Sequence, residues 1–390
     1  MKNPLKDSQG MALVVAVLIT AILLAISGAS LFFSQLDLKI TSNQKNSVRT
    51  FYTAEAGISH AMKTLTVING STDFQTVSTA EGSTPLLSNS AFAGGSYSVV
   101  GEPVAGSSPK RVKLTSTGCL PGGNPCPSGN SKAVIEAQVD NVNLPLPGTI
   151  TLIGNSANFT GGTSNKKTLS GNDNPLCGST PSLPVIAVTD AASKCCGPAS
   201  VQTAINSSKP STYVTSYAGG TQTDDVKASG AIDNIKSQSG FDLTNGNDLT
   251  VLVSKIQKNA DSVVAGGATG VDLGSVGNEK VVVVNGDFVV SGNTSGAGIL
   301  VVKGKLTYNG NVSYTGVILV IGSGVMQRNG GGNGTISGGI IVAKVAGGVI
   351  GSGPILDTSG GGDSTVQYCS SAVNKAFAKL VEMLAWKQNF

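Results

Sequence analysis

The first 65 residues contain two hydrophobic patterns in succession. Residues 11–33 form an uninterrupted apolar run between the polar leader MKNPLKDSQG and the next charge, Asp37. An α-helix rises about 1.5 Å per residue, so such a run can cross the roughly 30 Å hydrocarbon core of a bilayer. Beyond it, apolar residues recur at helical spacing: Phe51, Ala54, Ile58, Met62 and Leu65. We expect one continuous helix over residues 11–65, with residues 11–35 in the membrane.

Three short segments then alternate apolar and polar residues, beginning at Ser96, Lys110 and Lys132. A period of two places the apolar residues on one face of an antiparallel sheet, and that face needs a cover. The apolar stripe of the helix can supply it. We therefore expect residues 66–145 to form a small antiparallel sheet packed on the helix, with 144–148 as the linker to a second domain.

Residues 281–360 nearly repeat themselves. VVVVNGDFVVSGNTSGAG and ILVVKGKLTYNGNVSYTG have equal length, and two looser copies follow. Short apolar strands separated by Gly/Asn turns are typical of a β-solenoid, although a Gly-rich β-sandwich remains an alternative. GTITLIGNSANFTGG, at residues 148–162, resembles a displaced coil. If it stacks on Val281–Gly298, the β-solenoid-like domain spans residues 146–368 with an insertion at about 175–267.

Helical patterns follow in the insertion and at the C-terminus. Val226–Gln238 and Asp248–Ala260 have helical spacing, with Asp248 as a credible N-cap. Residues 369–390 contain the apolar spacing of a helix over Ser370–Gln388, which we expect to cap the open apolar end of the solenoid. The alternative is a helix that docks a partner. The fold class is therefore α+β, a long N-terminal helix on a small sheet followed by a Gly-rich solenoid-like domain.

Composition limits the possible chemistry. A net charge of +4 over 390 residues provides no basic patch for nucleic acid, and 52 glycines favour β turns. His60 is the only histidine, and we expect it to be a helix-surface or packing residue. No nucleophile-elbow, P-loop or zinc-protease motif occurs, so we assign no catalytic residue and no cofactor.

Acidic residues leave two alternatives open. The carboxylates that could serve a polysaccharide-degrading β-helix are scattered, mostly in turns: Asp173, Asp224, Asp225, Asp272, Asp287 and Asp363. Calcium is a second possibility at two oxygen-rich loops, 172–174 and 242–248, although neither has EF-hand spacing.

Six cysteines after a membrane-directing N-terminus predict an oxidising compartment and disulfides: Cys119, Cys126, Cys177, Cys195, Cys196 and Cys369. The Gly/Pro-rich segment between Cys119 and Cys126 favours a local bond, since a metal knuckle would lack further ligands. Adjacent cysteines seldom pair with each other. We expect one of Cys195 and Cys196 to bond Cys177 and the other to reach Cys369, although sequence does not define connectivity.

The N-terminal residues also resemble a known family. A short basic leader ending in Gly10, the apolar helix directly after it and the string FYTAEAGISHA, which includes Phe51, Tyr52 and Glu55, resemble PilX-type minor pilins of the type IV pilus. The resemblance implies that a prepilin peptidase cuts after Gly10 and methylates the new N-terminus, Met11. It also implies assembly with major and minor pilins and a possible PilY-type tip adhesin.

Val15 departs from the pattern of major pilins, which have Glu at this fifth mature position. Without that carboxylate, the subunit would leave a neighbour's buried ammonium unpaired, which favours a place at the filament end. Phe32 also stands where major pilins often have proline. The resemblance thus predicts a minor pilin of the tip or initiation complex, first in the inner membrane with a periplasmic domain and then in the extracellular pilus.

Several other readings remain open. The apolar run could be a cleaved signal peptide or a plain membrane anchor. A plain anchor would fit a β-helical surface protein that binds or acts on carbohydrate. A secretion-system pseudopilus is a related possibility, and the sequence does not distinguish tip from shaft.

Overall fold

A computed structural model describes most of the chain. The described residues are 5–66, 76–77, 80–107, 111–140, 144–161, 167–190, 193, 201, 217–218, 223–225, 235–236, 239–360, 362–380 and 382–389. The expected helix over Val226–Gln238 therefore lies outside the described residues, apart from residues 235 and 236. Cys195 and Cys196 also lie outside them.

The N-terminal part is one long helix on an antiparallel sheet. Helix α1 spans Leu5–Thr66 without interruption. The sheet contains β1 (Thr84–Phe92), β2 (Gly95–Pro103), β3 (Arg111–Leu120), β4 (Ser131–Asp140) and, from the far end of the chain, β23 (Glu382–Asn389), in the order β1-β2-β3-β4-β23. The expectation of an α+β fold with a long, apolar N-terminal helix is confirmed.

The rest of the described chain forms a large sheet and a small one, and the strands along the main order of each are parallel. The first few strands after the linker are β5 (Ile150–Ile153), β6 (Asn158–Thr160), β7 (Thr168–Ser170), β8 (Ile186–Val188), β9 (Tyr217–Ala218) and β10 (Thr223–Asp225). Next come β11 (Ser262–Ala265), β12 (Gly274–Ser275), β13 (Asn278–Asn285), β14 (Phe288–Gly292), β15 (Ser295–Val302) and β16 (Leu306–Gly310). The last are β17 (Ser313–Gly322), β18 (Val325–Asn329), β19 (Gly334–Ala346), β20 (Val349–Ile350), β21 (Ile355–Asp357) and β22 (Ser364–Gln367).

From β13 to β19, successive strands alternate between these two sheets, which together we call the parallel array. The large sheet has the order β10-β8-β5-β19-β17-β15-β13-β11, and the small one β14-β16-β18-β21-β6. Val281 pairs with Ile299, and Ile299 with Val317, so equivalent positions recur at the repeat length of the sequence. Gly298 and Gly316 have φ of +117° and +132°, and a Cβ on Gly316 would lie 2.1 Å from the carbonyl oxygen of Gly298. Glycine is therefore required at these two positions.

The apolar runs of the large sheet bury side chains on both faces. Val282 and Leu300 face an inner core between the two sheets, which also contains Tyr308 of the small sheet. Val281 and Ile299, one position earlier, face an outer core. Sheets buried on both faces consist of continuous apolar runs rather than alternating residues. The VVVV and ILVV segments follow this rule.

Two helices cover the outer face. Helix α2 spans Gly246–Lys258, and helix α3 spans Ser370–Ala378. Both contribute buried apolar residues to the outer core, including Leu252 and Phe377. The expectation that the C-terminal helix caps an open end of the array is wrong. The outward-facing valines and isoleucines of the large sheet need a cover, and α3 lies across them.

The C-terminal helix is also shorter than expected. It ends at Ala378, and β23 then pairs antiparallel with β4, from Glu382 opposite Asp140 to Asn389 opposite Val134. Strand β4 would otherwise present its unpaired backbone groups at a sheet edge, and β23 satisfies them. Near this junction Lys255 of α2 forms an ion pair with the buried Asp140, which links the parallel array to the antiparallel sheet.

The displaced coil lies at the opposite end of the array from the one expected. Strand β5 pairs with β19, and β6 pairs with β21. The strands at Val281–Gly298 have other neighbours, because β13 pairs with β11 and β15, and β14 pairs with β16. Similar coils offer equivalent surfaces at both ends, so sequence similarity alone does not choose between them. Part of the expected insertion belongs to the large sheet, because β8 and β10 extend it beyond β5 and β11 extends the other end.

Candidate functional site

Residues 11–33 of α1 form its apolar segment, and this segment is exposed. Every residue from 11 to 45 is exposed, including Met11 at 70% and Val15 at 50%. Among the described residues, α1 is the one helix long and apolar enough to cross a membrane. Burying apolar surface is worth roughly 25 cal/mol per Å², so a helix half like this is stable only under a cover of lipid or protein.

The second half of α1 packs on the antiparallel sheet. Ala54, Ile58, Ala61 and Leu65 are buried there against one face of the sheet, which supplies Val99, Val112, Leu114, Ile135 and Val139. Phe51 and Met62, which the spacing placed in the same stripe, lie partly buried at its margin. The predicted interface between helix and sheet therefore exists, with Ala61 as an addition.

Glycines on both sides bring the helix close to the sheet. A Cβ on Gly57 of α1 would lie 2.3 Å from the Ser116 hydroxyl oxygen and 3.0 Å from the Tyr97 ring. A Cβ on Gly118 of β3 would lie 2.6 Å from the Thr50 carbonyl oxygen. Neither glycine was singled out from the sequence. The signal available was Gly57 within an otherwise helical pattern, where glycine is unfavourable unless packing requires it.

Polar groups fix the register of the helix on the sheet. The Thr50 hydroxyl bonds to Ser131 Oγ at 2.9 Å, and Arg49 donates to the Ala93 carbonyl at 2.7 Å. His60 Nδ1 and the Tyr97 hydroxyl share a hydrogen bond of 2.8 Å. His60 is thus engaged with the sheet on the margin of the packed stripe.

Two further residues of the string FYTAEAGISHA, Tyr52 and Glu55, face outward. Tyr52 is 57% exposed and Glu55 is exposed. The Phe51 and Tyr52 rings meet edge to face with centroids 5.7 Å apart. Gly10 and Met11 both lie within α1. The structure therefore leaves Tyr52 and Glu55 available for contacts outside this chain.

The prediction of disulfides is confirmed, but the two pairings expected for Cys177 and Cys369 are wrong. Cys119 bonds Cys126, seven residues away, and Cys177 bonds Cys369 directly across 192 residues. In the expected pairing, one of Cys195 and Cys196 bonds Cys177 and the other bonds Cys369. Parallel pairing of β7 with β22 brings the segments after them together, where Asn174 N donates to the Tyr368 carbonyl at 3.1 Å. Sequence separation gave no indication of this proximity.

The oxygen-rich loops serve as helix caps. Asp173 accepts hydrogen bonds from Ser370 N (2.9 Å) and Ser370 Oγ (2.6 Å) at the start of α3, and from Thr180 N and Oγ1. Burial opposes ionisation of Asp173, but these hydrogen bonds outweigh it and lower the pKa of the carboxyl group. Helix α2 is capped by Asn245, whereas Asp248, the expected N-cap, accepts a hydrogen bond from Asp242 N.

The scattered carboxylates stay apart. Asp272 pairs with Lys280, Asp287 accepts from Lys305 N, and Asp224 and Asp225 lie in β10 at the other end of the array. Within the described ranges, no group of three or more His, Cys, Asp or Glu residues could hold a metal ion. A surface groove of about 310 Å³ lies elsewhere, beside Asn155, Thr189, Thr244, Ser352 and Ile350.

Comparisons with known proteins give little help. No protein-family model matches the chain, and no curated protein matches it. Among solved structures, the crystal structure of the competence-associated pilin ComZ from Thermus thermophilus aligns over 88% of this chain and 97% of its own, with 12% sequence identity and a TM-score of 0.26. A similarity at this level establishes neither a shared fold nor a shared function.

Proposed function

We propose that the protein is a minor subunit of a type IV pilus, stored in the inner membrane and assembled through α1. The observation that supports this most directly is the division of α1 into two halves. Residues 11–45 are fully exposed and largely apolar, whereas the stripe from Ala54 to Leu65 is buried on the sheet. One helix thus belongs partly to the folded domain and partly to an external apolar environment.

The exposed half fits two environments in turn. Before assembly, lipid covers it, because a helix satisfies its own backbone hydrogen bonds in a bilayer. After assembly, the corresponding helices of major and minor pilins cover it. A helix that only anchored the domain would need lipid alone as its cover. In this chain Tyr52 and Glu55 also remain exposed beyond the apolar segment, where they are available for contacts between subunits.

Processing at Gly10 completes this proposal. A prepilin peptidase on the cytoplasmic side removes the leader and methylates Met11, so that the anchor is retained. Val15 has no carboxylate to neutralise the amino terminus of a preceding subunit in the low-dielectric filament core. For that reason we place the subunit at the filament tip or in the initiation complex.

The parallel array is the outward-facing part, and we propose that it is a β-solenoid. The equal steps Val281 to Ile299 to Val317 and the bend at Gly298 and Gly316 support this architecture. Helix α1 packs on the antiparallel sheet, which leaves the array available to support a PilY-type adhesin or to contact a surface.

Intact-mass measurement of the chain purified from membranes tests the processing step. The expected mass is that of residues 11–390 plus one methyl group. A Gly10→Val variant should retain the leader, whereas Gly28→Ala should be processed normally, because a Cβ at Gly28 has nothing within 4 Å. A mature chain that starts elsewhere would contradict the pilin proposal and favour a plain anchor or a signal peptide.

Electron microscopy of sheared filaments tests the position. An epitope inserted between Gly330 and Gly331, where a Cβ meets nothing within 4 Å, should be labelled by gold at filament ends. Label spaced along the shaft would contradict the tip position while retaining the pilin. Correctly processed protein that stays in the membrane fraction under piliating conditions would contradict the filament itself.

A further inference from the structure

Two cations are buried inside the parallel array. Lys167 is 2% exposed and Arg328 is 8% exposed. The Lys167 ammonium donates to the carbonyl oxygens of Thr358 and Gly360, and Arg328 donates to those of Gly332 at 2.8 Å and Asp363 at 3.4 Å. Neutral carbonyls thus satisfy these donors, but they do not compensate the charges. Buried charges are normally paired with an opposite charge.

No carboxylate among the described residues forms an ion pair with either cation. The charge of Asp357 acts on Lys167, but its oxygens accept hydrogen bonds from Gln327 Nε2 (3.1 Å) and Ser359 N (2.9 Å). Burial, reinforced by the positive charge of Arg328, lowers the pKa of Lys167 to about 8. Asp357 offsets one of the two buried cations, so one excess positive charge remains.

Tyrosine hydroxyls lie beside Arg328 without a partner. Tyr308 is directly opposite Arg328 in the pairing of β16 with β18, and it is 2% exposed. The hydroxyls of Tyr308 and the neighbouring Tyr314 have no hydrogen-bond partner among the described residues. A buried hydroxyl left unsatisfied costs roughly 1–3 kcal/mol, so two together indicate that an acceptor belongs nearby.

A small cavity lies at this point. It has a volume of about 20 Å³ and is lined by the polar residues Tyr308, Arg328, Asp357, Thr358 and Ser364 together with apolar side chains such as Met326 and Leu356. The Asp357 carboxylate itself accepts hydrogen bonds from Gln327 and Ser359. A volume of about 10–15 Å³ is enough for one water molecule. The cavity therefore admits a single atom-sized occupant and excludes polyatomic anions such as phosphate or sulfate.

We propose that this cavity binds one halide ion, chloride under ordinary conditions, between the Tyr308 hydroxyl and the Arg328 guanidinium. A water molecule could also accept from the hydroxyl, but it would leave one positive charge uncompensated, because Asp357 offsets only one of the two cations. The ion meets both requirements, because it accepts hydrogen bonds and supplies negative charge. It acts as a structural ligand that joins neighbouring coils of the array, independently of any role in a pilus.

Thermal unfolding of the full chain in detergent micelles tests the site. At equal ionic strength, the melting temperature should be about 3 °C higher in sodium chloride than in sodium gluconate, and the difference should saturate with chloride concentration. Gluconate is too large for the cavity. Tyr308→Phe should abolish the difference, and in gluconate it should be at least as stable as the wild type, because it removes an unpartnered hydroxyl. Tyr52→Phe, at an exposed ring, should retain the full difference.

Crystals grown in sodium bromide provide a test that needs no variant. An anomalous peak should lie within hydrogen-bond reach of Tyr308 and Arg328 in the wild-type protein. An absent peak at this position, with equal melting temperatures in chloride and gluconate, would show that water fills the cavity and would overturn the proposal. An anion effect that persists in Tyr308→Phe would assign it to the protein surface instead.

Discussion

The antiparallel sheet and the large parallel sheet differ in how many of their faces are covered. Helix α1 covers one face of the antiparallel sheet, and strands such as β3 accordingly alternate between buried and partly exposed residues. The large parallel sheet has the inner core on one face and α2 and α3 on the other, so Val281–Val284 is buried at every position. The number of covers therefore determines the hydrophobic pattern.

This difference also predicts how each part fails. The antiparallel sheet depends on one helix whose other half is exposed. The parallel array depends on segments that are far apart in sequence but pack together in the fold. The helix α3, which covers its outer face, is held by the Cys177–Cys369 bond. Removing single contacts should thus unfold the two parts separately. Hydrogen exchange of the full chain in micelles resolves the two parts.

The largest difference should come from the disulfides. By chain entropy, a bond across 192 residues contributes about 5 kcal/mol, and a bond across seven residues about 2.5 kcal/mol. The pair Cys177→Ser/Cys369→Ser should therefore destabilise the parallel array about twice as much as Cys119→Ser/Cys126→Ser destabilises the antiparallel sheet. Urea unfolding followed by hydrogen exchange measures both. Equal losses in the two variants would contradict the assignment of the long bond as the main constraint.

Truncating the outer cover should have the next largest effect. Phe377 is 1% exposed on α3, and Phe377→Ala should cost about 4 kcal/mol of unfolding free energy. Exchange should accelerate in β13, β15 and β17 while the antiparallel sheet stays protected. The matched control is Lys375→Ala, because Lys375 lies on the exposed side of the same helix. Unchanged protection of these strands in Phe377→Ala would mean that α3 does not stabilise the sheet it covers.

The corresponding change on the antiparallel side is Ile58→Ala. Ile58 is 3% exposed, so the truncation should cost about 3 kcal/mol and accelerate exchange in β2–β4. Fluorescence of Trp386, the only tryptophan, gives a second readout because β23 belongs to this sheet. Val48→Ala, on the 53% exposed Val48 of the same helix, should change stability by less than about 0.5 kcal/mol. A loss confined to the parallel array would contradict the division into two parts.

The smallest effect should come from the cap on α3. The pKa of Asp173 is lowered in the folded state, so its contribution is fully present above the ordinary carboxyl pKa of about 4 and is lost as the pH falls below that value. Asp173→Asn should cost about 1 kcal/mol at pH 6, and the difference from wild type should shrink as the pH falls through the lowered pKa of Asp173. Unfolding free energies measured across this range provide the test. A difference that does not depend on pH would rule out the carboxylate as the cap.

The sequence was most informative where a hydrophobic pattern and the element that covers it lie close together along the chain. The stripe containing Ile58 and the alternating strands after it predicted the helix-on-sheet unit, because each pattern has one buried face. The equal repeats also predicted the step from Val281 to Ile299. The Cys119–Cys126 bond is local, and its Gly/Pro-rich turn is visible in the sequence.

Contacts between distant segments were not predictable in the same way. The continuous run at Val281–Val284 predicted only a short apolar strand of the repeat, and it did not identify α3 as the cover of the second face. The residue types of Met383–Lys387 are compatible with either a helix or a strand. The segment forms a strand because it pairs with the otherwise unpaired edge of β4. Asn245 replaced Asp248 as the cap because a cap depends on where the backbone begins to turn, which spacing defines only to within a few residues.

The return of the chain to the antiparallel sheet has a mechanical consequence. The array is inserted between β4 and β23, and the Glu382–Asp140 pair places both connections at the same end of the two strands. Tension on the array is therefore shared by the two adjacent strands β4 and β23, and it pulls both in the same direction along their length. Their resistance comes from shearing the ten register pairs of β4 with β3 at once, rather than from opening them one after another. An outward domain attached in this way transmits a pulling force to α1 through a sheet loaded in its strongest direction.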